Sequence, residues 1–473
     1  MAAVVTDSLK KYLLRGLFED FDSSANYYVG IGRSEDWNST DTLVTPQNRG
    51  RDEIAARLQM QSIKSITDKS FVVPRYNWNS GSQYSAFDDN HIGYPVNSYY
   101  VMNNNQEVYI CLQQGKDGTG QPVNSTFQPT GNTTGTPFRT SDGYVWKFIF
   151  SIGALNASKF LSSAYMPVQF IDSDTAASVD ATAEQVEQRA VEKAARPGEV
   201  VGAEVKVAGS GYTSDPTVEV IGDGTGAQVV PLMSGDAVVA LQVKLDSAGN
   251  LGGTNPSGWS TGSFRGSGYT RANLKITGVG SGATGRVILG PKDGLGADPR
   301  EDLKSSAVMF NAKIDGTEEG DFITGDNTFR QVMLFRNPLV GDSDDREDDH
   351  FFTESTGLGL ESIEFTGTNG TFQPDTTITV ATTGASAYVD HVDSVNGTLS
   401  LARLYVHFNE SGGFTTFNVG DVVDDGSGNT GTVSNVITGE FDPLSGELLY
   451  IDNRAAVDRS SEQTEDLKIV IQL

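Results

Sequence analysis

The chain returns to strand-forming sequence at its end, after a long glycine-rich interruption. Residues 329–339 form an alternating apolar strand pattern that stops at an Asn-Pro pair, and about a hundred residues rich in Gly, Thr and Asp follow. Residues 446–454 and 465–473 then resume the strand pattern. A final strand with so few charges would aggregate if its edge were open. We therefore expect it to pair within a core domain built largely by the N-terminal third.

Period-two alternation predicts which side chains of this last strand face the core. Leu467, Ile469, Ile471 and Leu473 share one face, while Val470 lies on the other and suggests partial cover there.

Length and composition predict a mainly β protein with several domains. At 473 residues, the chain exceeds what one core usually supports, so two to four domains are expected. Its 53 glycines indicate many turns and short strands rather than helical bundles. The 34 basic and 61 acidic residues give a net charge of −27, which disfavours nucleic-acid and membrane partners.

The only cysteine, Cys111, alternates with apolar residues in a predicted strand, which favours a buried structural thiol over a nucleophile. A single cysteine allows neither an internal disulfide framework nor a cysteine-based zinc site. No basic-then-apolar leader and no long apolar run occur, so we expect the protein to fold in a cytoplasm.

Two amphipathic helices are predicted, over residues 6–20 and 52–66. Their expected inward side chains are Leu9, Tyr12, Leu13 and Leu17 in the first, and Ile54, Leu58 and Ile63 in the second. Between and after them, strands are expected at residues 27–33, 71–76, two within 98–113, and 144–152. A polar loop over residues 114–141 precedes the last of these strands.

Residues 176–197 predict a solvated helical connector that ends at Arg196-Pro-Gly198. The sequence then changes character, because Gly209-Ser-Gly-Tyr-Thr213 recurs 57 residues later as Gly266-Ser-Gly-Tyr-Thr270. Each copy precedes a strand and a glycine-rich turn, which indicates an internal duplication of a small β-unit over residues 198–296. We expect Tyr212 and Tyr269 to anchor equivalent small cores beside glycine corners.

A looser variation follows in residues 353–443. The segments 370–372 and 383–388 are echoed by 413–414, 417–421 and 428–433, which predicts further hairpins with glycine at positive-φ corners.

Four patterns could carry chemistry, and each has a simpler explanation. Gly280-Ser-Gly-Ala-Thr-Gly285 fits the dinucleotide fingerprint, but a strand rather than a helix follows, so a hairpin turn is favoured. The histidines are too dispersed for a metal site: His91, His350, His391 and His407. Residues 342–349 cluster carboxylates that could bind Ca²⁺, but they lack the EF-hand spacing, and a mobile charged loop is favoured.

The fourth pattern is an aromatic strand that could stack on sugars. Its residues alternate along one strand, as a core face requires, so a core role is favoured: Tyr144, Trp146, Phe148 and Phe150. No catalytic, cofactor or metal residue is therefore assigned, and an enzyme is not expected.

Seven segments occur in an order that resembles one protein family. They are residues 31–37, 72–78, 109–112, 142–148, 329–339, 446–454 and 463–471. In this order they look like landmarks of the baseplate wedge subunit of T-even-like contractile-tailed phages. We refer to them as the motif segments.

The resemblance implies a mostly β, non-enzymatic homodimer that contacts other wedge proteins, in the virion tail baseplate after assembly in the host cytoplasm. It assigns a discontinuous, β-sandwich-like wedge core to residues 1–175, 297–352 and 444–473. Residues 198–296 and 353–443 are then inserted small β-modules. The alternative is a tail-associated adhesin that binds host glycans through these modules, and least favoured is a tail depolymerase.

Overall fold

The computed structural model describes residues 6–21, 25–90, 99–131, 135–171, 181–244, 264–325, 327–341, 350–394, 402–408 and 415–473. Strands hold 44% of the residues and helices 12%, which confirms the prediction of a mainly β, multi-domain chain. The helices within the described ranges are α1 (Asp7–Asp20), α2 (Gly50–Leu58), α3 (Ala154–Phe160), α4 (Ala183–Ala194) and α5 (Pro299–Asp302).

The strands fall into three successive groups. The first group is β1 (Tyr27–Gly32), β2 (Met60–Ser65), β3 (Asp68–Pro74), β4 (Tyr100–Met102), β5 (Glu107–Gln113), β6 (Phe138–Arg139), β7 (Val145–Ser151) and β8 (Tyr165–Pro167). The second group is β9 (Val200–Val207), β10 (Thr217–Gly222), β11 (Thr225–Ala227), β12 (Val229–Ser234), β13 (Ala237–Val243), β14 (Arg265–Ser267), β15 (Ala272–Thr277) and β16 (Thr284–Leu289).

The third group begins with β17 (Ala307–Asp315), β18 (Thr328–Arg336), β19 (Leu339–Val340), β20 (Thr356–Leu358), β21 (Glu361–Asn369), β22 (Thr377–Val380) and β23 (Ser386–Ser394). It ends with β24 (Ala402–Phe408), β25 (Val422–Asp424), β26 (Thr430–Ile437), β27 (Phe441–Asp442), β28 (Glu447–Asp458) and β29 (Thr464–Gln472).

The chain forms two compact units, and each is discontinuous in sequence. Unit one contains residues 1–14, 70–309 and 471–473, and unit two contains residues 15–69 and 310–470. The predicted domain limits do not coincide with this division into two, and they stay predictions.

Unit two is built on a five-stranded sheet in the order β20-β2-β1-β18-β28. Its antiparallel register pairs Tyr28 with Phe335 and Met333 with Ile451. One face buries a core cluster that includes Tyr28, Met60, Ile63, Met333, Phe335, Phe352 and Phe441. Residues from both ends of the unit therefore share one core.

Unit two also contains a closed six-stranded barrel in the order β21-β24-β23-β22-β25-β26. Its hairpins β22–β23 and β25–β26 turn through glycines with positive φ, Gly384 in the first and Gly426 and Gly428 in the second. The predicted hairpins with glycine corners are confirmed at these positions. The predicted echo at residues 413–414 lies outside the described residues.

Unit one contains a four-stranded antiparallel sheet in the order β4-β5-β7-β6. One aromatic core cluster packs on it and includes Tyr84, Tyr109, Tyr144, Trp146 and Phe148. The predicted helix forms as α4, but it is not solvated on every side, because Val191 joins this cluster and Gln188 is buried. Thr182 and Gln185 form a reciprocal capping box at its start.

The described part of the duplicated segment, residues 198–244 and 264–296, forms four two-stranded pairs: β9–β16, β10–β15, β11–β14 and β12–β13. The equivalent strands β10 and β15 pair with each other, with Val218 opposite Ile276 and Val220 opposite Leu274. This register relates the two repeats by a pseudo-two-fold axis through the β10–β15 pair.

The two repeats complete each other's cores. Tyr212 of the first repeat packs against glycines of the second, and Tyr269 of the second packs against glycines of the first. A β-carbon at Gly280 would lie 2.6 Å from Tyr212 Cγ, and one at Gly224 would lie 2.4 Å from Tyr269 Cγ. The prediction of equivalent tyrosine environments is confirmed.

The glycine-rich corner at residues 280–285 is not a hairpin turn, however. It joins β15, which pairs with β10, to β16, which pairs with β9. The hairpin prediction failed because the partner of each strand lies in the other repeat, which local spacing does not reveal.

The final strand, β29, is hydrogen-bonded to β17, so the expectation of a paired last strand is confirmed. Leu467 and Ile469 are buried, Ile471 is half-buried and Leu473 is 44% exposed. The predicted core face is therefore correct at its first two positions, and the terminal residue lies beyond the core.

Two helix predictions require correction. The second helix ends at Leu58, and residues 60–65 form β2 because they pair with β1 and β20 in the sheet. Ile54 is 49% exposed, and α2 packs through Ala56 and Arg57 instead. Helix α1 forms as predicted, but it packs through Leu14, and its neighbours Leu9, Tyr12 and Leu13 are exposed.

Candidate assembly site

Three motif segments meet in unit two on neighbouring strands. Residues 31–32 lie on β1, residues 329–336 on β18 and residues 447–454 on β28, and these strands adjoin in the order β1-β18-β28. Ile31 pairs with Val332, and Val332 pairs with Asp452. Segments that are hundreds of residues apart in sequence thus form neighbouring strands of one sheet.

Arg330 fixes the loop that follows β1. Its side chain is buried, with its Nη2 donating to Asp36 Oδ1 at 2.6 Å and its Nε donating to Asp41 Oδ1 at 3.0 Å. A further bond goes to the Ser34 carbonyl. The hydrogen bond from Arg330 lowers the pKa of Asp41. One guanidinium therefore joins the first motif segment to the fifth.

Trp37 also holds the loop that follows β1 in place. Its indole N–H donates to the Arg454 carbonyl at 2.8 Å, and the Arg33 guanidinium stacks 4.3 Å from the ring centroid. Such a cation–π contact stabilises a half-exposed aromatic side chain. The loop between β1 and α2 is consequently held against β28 by specific polar contacts.

Three other motif segments share the aromatic core of unit one. Trp146 stacks on Tyr144 with centroids 5.7 Å apart and lies opposite Cys111 across the β5–β7 pair. Trp78 packs against this cluster. Tyr144, Trp146, Phe148 and Phe150 are fully buried, so the core interpretation is confirmed over the sugar-stacking one.

Asp142, in the fourth motif segment, organises the polar loop before β7. Its Oδ2 accepts hydrogen bonds from the backbone N–H groups of Thr126 at 2.7 Å and Phe127 at 3.0 Å. Ser125 and Thr140 donate their hydroxyls to the same carboxylate. Burial acts to raise the pKa of Asp142, but these hydrogen bonds outweigh it, and the pKa is lowered.

An acidic groove of about 540 Å³ lies in unit two beside β20. Its apolar lining includes Val340, Phe352 and Ile437, and its carboxylates are Glu319, Asp321, Glu354 and Glu440. No lysine or arginine belongs to the part of the lining that the structure describes. Four carboxylates beside these apolar side chains attract a cationic segment rather than an anionic one.

Sequence reasoning missed this groove because its residues come from four separate places in the sequence, 319–321, 340, 352–356 and 437–440. Two of the carboxylates are held in place, since Asp321 accepts from the Thr356 hydroxyl and Glu440 Oε2 accepts from the Leu358 N–H at 2.9 Å. No local pattern links these stretches.

The structure describes only some of the sequence-level candidates, and the side chain of His407 is not among those it describes. Cys111 is buried, which confirms the structural-thiol prediction, and burial raises the pKa of its thiol. His350 is exposed and His391 is half-buried, while His91 and the carboxylate cluster at 342–349 lie outside the described residues. The described residues contain no group of three or more His, Cys, Asp or Glu side chains arranged to hold a metal ion.

The structure contains, over its described ranges, no helix that is long and apolar enough to cross a membrane. Comparison of the sequence with models of known protein families gave no match, and comparison with curated proteins gave none either.

Proposed function

We propose that this chain is a structural component of a phage tail baseplate wedge, a homodimer that joins neighbouring wedge proteins during baseplate assembly. The observation that carries the proposal is the arrangement of the motif segments. Three of them form adjoining strands in unit two, and three share the aromatic core of unit one. The wedge core proposed for this chain, which is discontinuous in sequence, requires such an arrangement.

Two surface features support an assembly role. The acidic groove suits a basic segment of a neighbouring wedge protein. Helix α1 exposes Leu9, Tyr12 and Leu13 on one side, and Tyr12 is 73% exposed. Apolar side chains grouped on a helix suit an isologous contact with a second copy.

The alternative, a tail-associated adhesin, would bind host glycan through the inserted β-units. Their described aromatic side chains are mostly committed to cores, since Tyr212, Tyr269 and Phe365 are buried. Aromatic faces packed inside a core cannot stack on sugars, which disfavours this reading.

Solution mass separates the two functions. A homodimer has twice the 50.5 kDa of one chain, whereas fibre-type adhesins usually form trimers. We expect the dimer at micromolar concentration, by light scattering coupled to size exclusion. A monomer or a trimer would contradict the proposal. Incubation with host polysaccharide should release no oligosaccharide, because we do not expect a depolymerase.

A further inference from the structure

A cluster of buried charged side chains lies in unit one between the duplicated segment and the aromatic sheet. Its members are Lys147 of β7, Glu199 before β9, Arg265 of β14 and Asp302 of α5, and each is less than 5% exposed. Burying charge is costly unless every group is paired and hydrogen-bonded.

These groups are only partly satisfied. Lys147 Nζ donates to the Leu295 carbonyl at 2.6 Å, and Asp302 Oδ2 accepts from the Gly296 N–H at 2.7 Å. Among the described residues, Asp302 Oδ1 and both terminal nitrogens of Arg265 have no hydrogen-bond partner. Arg265 Nη1 lies 3.4 Å from Glu199 Oε2, an ion pair without a good hydrogen bond.

The cluster holds the segment that leaves the duplicated region. Leu295 is fully buried, and Gly294 and Gly296 both adopt positive φ. A β-carbon at Gly296 would lie 2.8 Å from Val191 Cγ1 and 3.4 Å from Lys147 Nζ. The backbone between β16 and α5 is therefore pressed against the helix and the strand of the aromatic core.

The pseudo-symmetry of the duplicated segment shows that these charges are not required by the repeat itself. Tyr269 N–H bonds to the Gly198 carbonyl, and its equivalent Tyr212 N–H bonds to the Asp236 carbonyl. By this correspondence Glu199 matches Ala237, and Arg265 matches Ala208. The equivalent corner of the duplicated segment does not face Lys147 and Asp302. There, two alanines take the places of Glu199 and Arg265.

We propose that this buried cluster is a pH-sensitive joint that seats the duplicated segment on the aromatic sheet, tight when Asp302 is neutral and looser when it is ionised. This inference does not depend on the proposed function.

The electrostatics of the two titrating groups agree with this geometry. Burial raises the pKa of Asp302 to about 8, against opposing effects of the Gly296 N–H and Lys147 and with smaller contributions from Asp298 and Glu301. Burial lowers the pKa of Lys147, and among its charged neighbours Arg265 and Arg196 act in the same direction while Glu199 and Asp302 oppose it. Tyr99, whose hydroxyl donates to the Asp302 carbonyl, keeps a raised pKa and stays neutral throughout.

The direction in which stability changes with pH follows from the raised pKa of Asp302. Because its pKa is higher in the folded protein, the folded state binds more protons than the unfolded state between about pH 4 and the raised value. The stabilisation from Asp302 is thus complete below about pH 4 and is lost as the pH rises towards 8. The lowered pKa of Lys147 has the opposite effect on stability. It makes stability rise with pH, but only at alkaline pH, above that lowered pKa.

Hydrogen exchange of the full chain at pH 5 and pH 7.5, both below the lowered pKa of Lys147, tests the joint after correction for the intrinsic exchange rate. We expect peptides covering 199–205 and 286–296 to exchange several-fold faster at the higher pH. In Asp302→Asn the two corrected rates should agree, because the amide keeps the acceptor for Gly296 and cannot ionise. Asp293→Asn, an exposed change in the same connection, should behave like the wild type.

For each protein, the pH ratio is the corrected exchange rate at the higher pH divided by that at the lower pH. Equal pH ratios in the wild type and Asp302→Asn would overturn the proposal. If Asp302→Asn does not fold, the wild type still decides the matter, with strands β1 and β18 of the five-stranded sheet as the internal reference, because Glu361 in the barrel has a raised pKa of its own. A wild-type pH ratio in 199–205 and 286–296 no larger than that of β1 and β18 would likewise overturn it.

Discussion

At the scale of single residues, glycines are required where the two repeats interlock. Gly280 leaves space for the Tyr212 ring, and Gly224 leaves the same space for Tyr269. The repeated Gly-Ser-Gly-Tyr-Thr predicted two tyrosines in equivalent positions, but it did not show that each ring packs on glycines of the other repeat.

Gly280→Ala and Gly224→Ala should therefore destabilise the protein to a similar extent. Each added methyl would meet backbone and ring atoms closer than van der Waals contact, and overpacking of this kind costs about 1–3 kcal/mol. Gly118→Ala is the matched control, since nothing lies within 4 Å of the new methyl. Denaturant unfolding measures all three, and a large effect in only one of the paired variants would contradict the symmetric packing.

Asp142→Asn should cost about 1.5–3 kcal/mol at pH 7, because several donors then lose a charged acceptor. The pKa of Asp142 is lowered in the folded state, so its stabilisation exists above the ordinary value near 3.8 and disappears as the pH falls through the lowered value. Urea titrations from pH 2.5 to pH 7 should show a shallower acid loss in this variant. The control is exposed Asp215→Asn, and equal acid slopes in the two variants would exclude the proposed role.

At the scale of elements, alternation identified strands well but did not identify their partners. The aromatic strand β7 and the last strand β29 were predicted from period two, and both are buried as expected near their centres. The segment 60–65 was predicted as helix because Ile63 continues a helical spacing, yet pairing with β1 makes it a strand. Its neighbours in the sheet come from distant sequence, which a local pattern does not encode.

The limits of local sequence patterns also explain which surface and buried features the sequence did not predict. Leu13 and Leu14 are adjacent on α1, and spacing alone could not decide which of them would face the core. The acidic groove and the buried charge cluster each combine residues from well-separated segments. Conversely, the buried role of Cys111 followed from its apolar neighbours in one strand.

Ile469→Ala should destabilise the protein by about 2–5 kcal/mol, because it removes a buried side chain from β29 and leaves a cavity. Leu473→Ala, one residue beyond the end of this strand, should cost far less, since that side chain is 44% exposed. Thermal unfolding monitored by circular dichroism compares the two. Similar losses from both changes would show that β29 is not anchored through its predicted face.

At the scale of the whole molecule, the proposed dimer requires a surface that one chain leaves uncovered. The exposed side of α1 is the candidate, and Leu13→Asp should shift the solution mass from dimer to monomer by burying a charge in an apolar contact. Leu155→Asp, at an apolar site on α3 that is 76% exposed against 52% for Leu13, is the control and should remain dimeric. If Leu155→Asp dissociated the dimer and Leu13→Asp did not, the interface would lie elsewhere.

The proposed role combines two β-rich units, each completed by segments from distant parts of the chain, with a large net negative charge. A charge of −27 favours solubility before assembly and basic contacts within it. Rigid cores that present polar grooves at fixed positions suit a part that is held between several neighbours.

A cryo-electron microscopy map of intact virions that contain this chain tests the central claim most directly. We expect two copies per wedge, related by a local two-fold axis, with the five-stranded sheet, the closed barrel and the duplicated segment each fitting the density. Density for this chain as a trimer at a fibre tip, or its absence from the baseplate, would contradict the account.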